Sequence, residues 1–312
     1  DADFNVAVGT NTLSTNVLGS QNVAIGNGAL YTMNPATAAD TYNTAVGATA
    51  GNLLTTGVRN TLVGGLAGDA LTIGRYNTTL GAYALSSDAV GDSTVAIGYA
   101  ALEDQVASSD NEALYNTAVG ANAGKQLTTG ALNTFLGGYA AAVGIVTGDN
   151  NVAVGYNTCT SLTSGTLNTA VGGTALNAMT FGRYNVALGY EALGTDVDGD
   201  YSTALGYEAL KTQEADGANT SMMNVAVGAG AGQLLTTGIK NTFVGGQCGQ
   251  AGTITGGENT GVGYYALYTL AGGAYNTGIG KAALYLVAGG DYNTAVGFGA
   301  GAAVNSGDNN TF

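Results

Sequence analysis

Acids are the main candidates for chemistry, because the 312-residue chain contains no His and no Trp. Without His, neither a Ser–His nor a Cys–His nucleophile pair can be built, and a His-bearing zinc site is excluded as well. Carboxylate pairs remain, but the 21 Asp and Glu are scattered and fall mostly in turns or insertions. The densest group is Asp196-Val197-Asp198-Gly199-Asp200, which starts like a calcium loop. Such a loop needs a Gly and a closing Glu at set places, where this chain has Tyr201 and Tyr207. A solvated turn is the better reading. Gly228-Ala229-Gly230-Ala231-Gly232 has the look of a phosphate loop, but no helix follows and its glycines recur at matching places elsewhere. These segments imply no metal, no cofactor and no catalytic residue.

Tyrosines and cysteines complete the reactive inventory. Seven Tyr precede the first position of the repeat, Asn in all but one of these coils and Ser202 after Tyr201 (Tyr42, Tyr76, Tyr115, Tyr184, Tyr201, Tyr275, Tyr292), and five follow a recurring Gly (Tyr99, Tyr156, Tyr190, Tyr207, Tyr264). Such rows can stack on sugars or on a neighbouring chain, though stacking on one another is the simpler expectation. Cys159 and Cys248 lie five coils apart, roughly 24 Å at one strand spacing per coil. A disulfide needs Cα atoms within about 7 Å, so they read as small buried hydrophobes, with an intermolecular bond as the alternative.

What positions these residues is a repeat. Asn5-Val6-Ala7-Val8-Gly9 returns in seventeen complete copies, the last at Asn293, and an eighteenth starts at Asn310 and stops at Phe312. The interval is mostly 17 residues, with insertions near residues 31–41, 103–114 and 211–222. Coils from Asn43, Asn116 and Asn224 share a longer pattern, AVGAxAGxxLTTG, which points to duplication of blocks. A short fixed period signals a solenoid, here one repeat domain over residues 1–312.

Numbered from the Asn, position two is Thr or Val, position three usually Ala, position four always aliphatic and position five always Gly. Positions two and four share one face of a strand, and three lies on the other. The aliphatic row at four is expected inside, and the Gly at a sharp turn. A second apolar pair, as in Ala84-Leu85, suggests a second short strand closed by another Gly such as Gly91. Two glycines per coil would cost a helix about 2 kcal/mol. The fold expected is all-β, a parallel β-solenoid of about seventeen coils, on the order of 80 Å long. Its structural residues are exemplified by Asn43, Val46 and Gly47, by Asn60, Val63 and Gly64, by Asn116, Val119 and Gly120, and by Asn224, Val227 and Gly228. The Asn side chains are expected to form a ladder.

The copies Asn22-Val23-Ala24-Ile25-Gly26 and Thr94-Val95-Ala96-Ile97-Gly98 resemble the head repeats of YadA-type trimeric autotransporter adhesins. Asn185 to Leu193 (NVALGYEAL) resembles repeats of phage tail fibres. The resemblance implies a left-handed β-roll, trimeric association and a place on a cell or virion surface. A net charge of −14 argues against nucleic acid and anionic membranes, and no apolar run reaches the roughly 18 residues of a spanning helix.

The chain begins at Asp1 without a leader and reads as a mature product or a fragment. Its ends read as uncapped, making Phe4, Asn310 and Phe312 candidate assembly positions. The function expected is a non-enzymatic segment of an extracellular fibre or filament with an attachment role. It would self-associate head to tail or as a homotrimer, and bind a cell-surface receptor or glycan. A tail-fibre shaft with receptor-binding loops is the alternative. An ice-binding solenoid is more remote, because position two mixes Thr with Val and position four is never Thr.

Overall fold

A computed structural model describes residues 2–110, 112–217 and 220–312. Asn111 in the second insertion, and Ala218 and Asn219 in the third, lie outside the described residues. The fold is all-β: strands and turns account for the regular structure, with no helix among the described residues. The repeat strand occurs seventeen times, three residues each, in a parallel β-solenoid.

The chain divides into two compact units, residues 1–153 and 154–312. The first contains β1 (Val6–Val8), β2 (Gly19–Ser20), β3 (Val23–Ile25), β4 (Ala39–Asp40), β5 (Thr44–Val46), β6 (Thr61–Val63), β7 (Thr78–Leu80), β8 (Val95–Ile97), β9 (Thr117–Val119) and β10 (Thr134–Leu136). β11 (Val152–Val154) falls at the division. The second contains β12 (Thr169–Val171), β13 (Val186–Leu188), β14 (Thr203–Leu205), β15 (Val225–Val227), β16 (Thr242–Val244), β17 (Thr260–Val262), β18 (Thr277–Ile279) and β19 (Thr294–Val296). β4 lies within the first insertion and pairs with β2.

Within each unit the repeat strands pair in parallel and in register. Thr44, Ala45 and Val46 face Thr61, Leu62 and Val63, and Thr203, Ala204 and Leu205 face Val225, Ala226 and Val227. The insertions leave this register untouched because they leave the strand before it begins again. Backbone bonds join coil to coil, as from Gly64 N to Val46 O at 2.8 Å.

Inside and outside are the reverse of the sequence expectation. Position three is buried in both units, as Ala45, Leu62, Phe135, Ala187, Phe243 and Ala295 at 0% exposure. The aliphatic position four faces outward, with Leu80 50%, Leu188 52% and Val296 61% exposed. The buried Asn at position one explains this: residues one and three share a strand face, so burying the Asn ladder forces two and four out.

A second correction concerns the Ala–Leu pair. Ala84 and Leu85 are fully buried, but they sit in turns rather than a strand. Tyr83 and Leu85 take φ of +62° and +53°, a region that non-Gly residues rarely occupy. Leu85 is held there by its buried side chain and by its N–H, which donates to Ala101 O in the next coil at 3.0 Å.

Candidate functional site: an uncharged face over an asparagine ladder

A ladder Asn such as Asn43 makes two kinds of bond. Asn43 Nδ2 donates to Gly57 O of its own coil at 2.8 Å, and its Oδ1 accepts from Asn60 N of the next coil at 2.9 Å. Asn60 repeats this with Gly74 O and Asn77 N. So one side chain closes its coil and also fixes the stacking of the following one. All three atoms are out of water, where an unpaired amide would cost about 1–3 kcal/mol.

Gly at position five is required twice over. Gly47, Gly64, Gly120 and Gly228 have φ between +134° and +142°. A Cβ on Gly47 would also lie 2.3 Å from Gly64 O of the next coil. Only the turn is legible in the sequence; the close approach of the next coil is not.

Two coils lack the Asn, and the structure supplies a substitute that sequence reasoning missed. Where Thr94 stands, Gln105 reaches in: its Oε1 accepts from Asn116 Nδ2 at 2.9 Å, and its Nε2 donates to Asp88 Oδ2 at 2.9 Å. Where Ser202 stands, Gln213 Oε1 accepts from Asn224 Nδ2 at 2.9 Å, and its Nε2 donates to Asp196 Oδ2 at 2.5 Å. Asn116 and Asn224 still close their own coils on Gly130 O and Gly238 O. The available signal was the loss of Asn followed, eleven residues on, by a Gln within an insertion.

The acidic group is not the solvated turn expected from the sequence, since Asp196 and Asp200 are buried. Asp196 is buried, and burial pushes its carboxyl up to about 6 against the N–H donors of Gln213, Gly199 and Ala215. Asp198 accepts from the Thr180 hydroxyl at 2.9 Å. Asp200 pairs with Arg183 at 3.3 Å. The three carboxylates engage separate partners, and no cluster of three metal-ligating side chains occurs among the described residues. The glycine run from Gly228 to Gly232 is likewise taken up by turns: a Cβ on Gly232 would meet Leu210 and Phe243 within 2.9 Å.

Cys159 and Cys248 are buried thiols, both pushed up to about 12 by desolvation. Neither offers a reactive thiolate for an intermolecular disulfide. Phe4 is 81% and Phe312 48% exposed. Asn310 N and Nδ2 both donate to Asn293 Oδ1, at 3.0 and 2.8 Å, and Phe312 N donates to Thr294 O at 2.8 Å.

The surface has two distinctive features. First, positions two and four contain only Thr, Val, Leu and Ile in every copy, and none of these side chains is buried. Each unit therefore presents a ribbed sheet face without a charge. Second, tyrosines in successive coils stack: Tyr184 on Tyr201 at 4.9 Å, Tyr275 on Tyr292 at 4.7 Å and Tyr190 on Tyr207 at 5.7 Å. Charged groups lie beside these rows. Lys211 Nζ lies 2.5 Å from Glu191 and 2.8 Å from Glu208, which lowers the Glu191 carboxyl from its usual range. A small depression forms there, lined by Thr174, Asn177, Glu191, Gly194, Thr195 and Lys211.

No protein-family model matches the chain, and no curated protein matches it. No helix of the described residues is long and apolar enough to cross a membrane.

Proposed function

We propose that this chain is a non-enzymatic structural segment of an extracellular fibre, and that copies associate side by side through the outward strand face. The observation that carries this is the composition of that face. A chain with net charge −14 places none of its charged side chains at positions two and four, and fills both with β-branched or aliphatic residues. An uncharged face of exposed and half-exposed Val, Leu and Ile ribs beside Thr rows is the kind of surface that marks interaction sites. The occupant it fits best is a second copy, whose face has the same rise per coil and the same uncharged ribs. Self-repulsion between acidic copies would be kept off the contact.

The resemblance to adhesin heads and tail fibres supports the same reading, including a surface location and an attachment role. The insertions at 103–114 and 211–222 serve the core through Gln105 and Gln213, so they do not favour receptor-binding loops over the shaft itself. Position four has no hydroxyl in any copy, which speaks against an ice-ordering face.

The test is the mass in solution, by light scattering, of the wild type and of Val171→Glu combined with Leu188→Glu. Both side chains point outward, so the fold is retained. The wild type is expected to be oligomeric and the variant monomeric. A monomeric wild type at high micromolar concentration would sink the proposal.

A further inference from the structure

Position six, just after the turn Gly, holds Tyr156, Tyr190, Tyr207 and Tyr264 in four coils of the second unit. Between Tyr207 and Tyr264 two successive coils have Ala229 and Gly246 there instead. The walls are three strand spacings apart, roughly 14 Å. The gap forms a cleft of about 270 Å³, just under the 300–1,000 Å³ of drug-sized sites. Tyr207 stacks one face back on Tyr190 at an interplanar angle of 13°. Its other face meets no ring in the Ala229 coil and is left to solvent, with 55% of the residue exposed. Tyr264 leans in from the far side, over Gly246.

The floor is polar. Gln247 Oε1 accepts from the Tyr264 hydroxyl at 3.2 Å, which leaves its amide N–H groups to donate. Gln250 Nε2 donates to Gln233 Oε1 at 2.7 Å, which leaves its own carbonyl to accept. Glu208 presents a carboxylate already engaged by Lys211 and Gln233. This row of amides occurs at one place only among the described coils; the matching coils of the earlier block have Ala100, Tyr139 and Ala142 instead of Glu208, Gln247 and Gln250.

We infer that this cleft is a binding site for one or two units of a neutral saccharide. A pyranose has an apolar C–H face that suits an exposed tyrosine ring. Its rim of hydroxyls both donates and accepts, which suits a floor supplying amide N–H, amide C=O and carboxylate groups at once. Acidic sugars are disfavoured by Glu208 and by the charge of the whole chain. The cleft stands on its own geometry and does not depend on the fibre proposal.

Saturation-transfer NMR on the intact protein tests it, with cellotetraose, maltotetraose, chitotetraose, N-acetyllactosamine and sialyllactose as probes. At least one neutral probe is expected to bind with a Kd at or below the low millimolar range, and sialyllactose not to bind. Ala229→Tyr fills the gap with the residue that neighbouring coils already accept, so it preserves the fold and should weaken binding at least tenfold. Tyr264→Ala should do the same. Absence of binding by all four neutral probes overturns the inference, as does undiminished binding to Ala229→Tyr with an unchanged circular dichroism spectrum.

Discussion

At the residue scale, the ladder Asn and its Gln substitutes show how a polar group becomes a core residue. Each Asn oxygen and nitrogen is satisfied by backbone of known position, so the amide specifies register as well as adding stability. Asp196 is the exception, because its charge is buried. Its carboxyl titrates near 6 in the folded chain against an ordinary 3.8. The folded state is therefore favoured by this group below pH 4, and that contribution is lost as pH rises through 6. A shift of about two units is worth roughly 3 kcal/mol. Between pH 4 and pH 8 the unfolding midpoint of the wild type should fall relative to that of Asp196→Asn, whose amide cannot titrate although it loses the bond from Gln213, measured by thermal circular dichroism. Equal pH dependence in the two proteins would show that Asp196 is not the titrating group.

At the element scale, the repeat is held constant by exchanging volume between its parts. Where position three is Ala, the turn usually contributes a Leu; where it is Phe243, the flanking turns have Gly232 and Gly249, whose added Cβ atoms would lie within 2.9 Å of the Phe ring. Phe135 pairs with Gly124 in the same way. This accounts for the longer shared pattern: a coil with a Gly turn is followed by one with a large residue at position three. Phe243→Ala should cost about 3–5 kcal/mol. Adding Gly249→Leu, whose φ of +58° matches that of Leu85, should recover part of the loss in a chemical melt. No recovery would mean that the two sites are not filling a shared space.

The period, the Gly turns and the sites of insertion were legible in the sequence because they are one-dimensional. Which strand face is buried was not legible. Hydrophobicity argued for Val46 and Val63, and parity with Asn43 and Asn60 argued for Ala45 and Leu62; the backbone-bonded Asn prevailed. The Gln213–Asp196 contact was hidden for a different reason, since an inserted segment has no repeat position to read.

At the scale of the whole molecule, the two units share one design, a satisfied polar ladder inside and an uncharged ribbed face outside. In a chain so acidic that uncharged face is where the proposed contact between copies falls, and the proposal stands or falls on whether copies meet there. The most direct measurement is chemical cross-linking of Val171→Cys, whose thiol points outward from β12, with a short thiol-reactive bifunctional reagent. The native Cys159 and Cys248 are buried and protonated, so they stay silent. Efficient cross-linking into dimers or larger species, absent in a Thr195→Cys control away from the strand face, is the predicted result. Equal labelling of both positions with no cross-linked species from Val171→Cys would contradict the account.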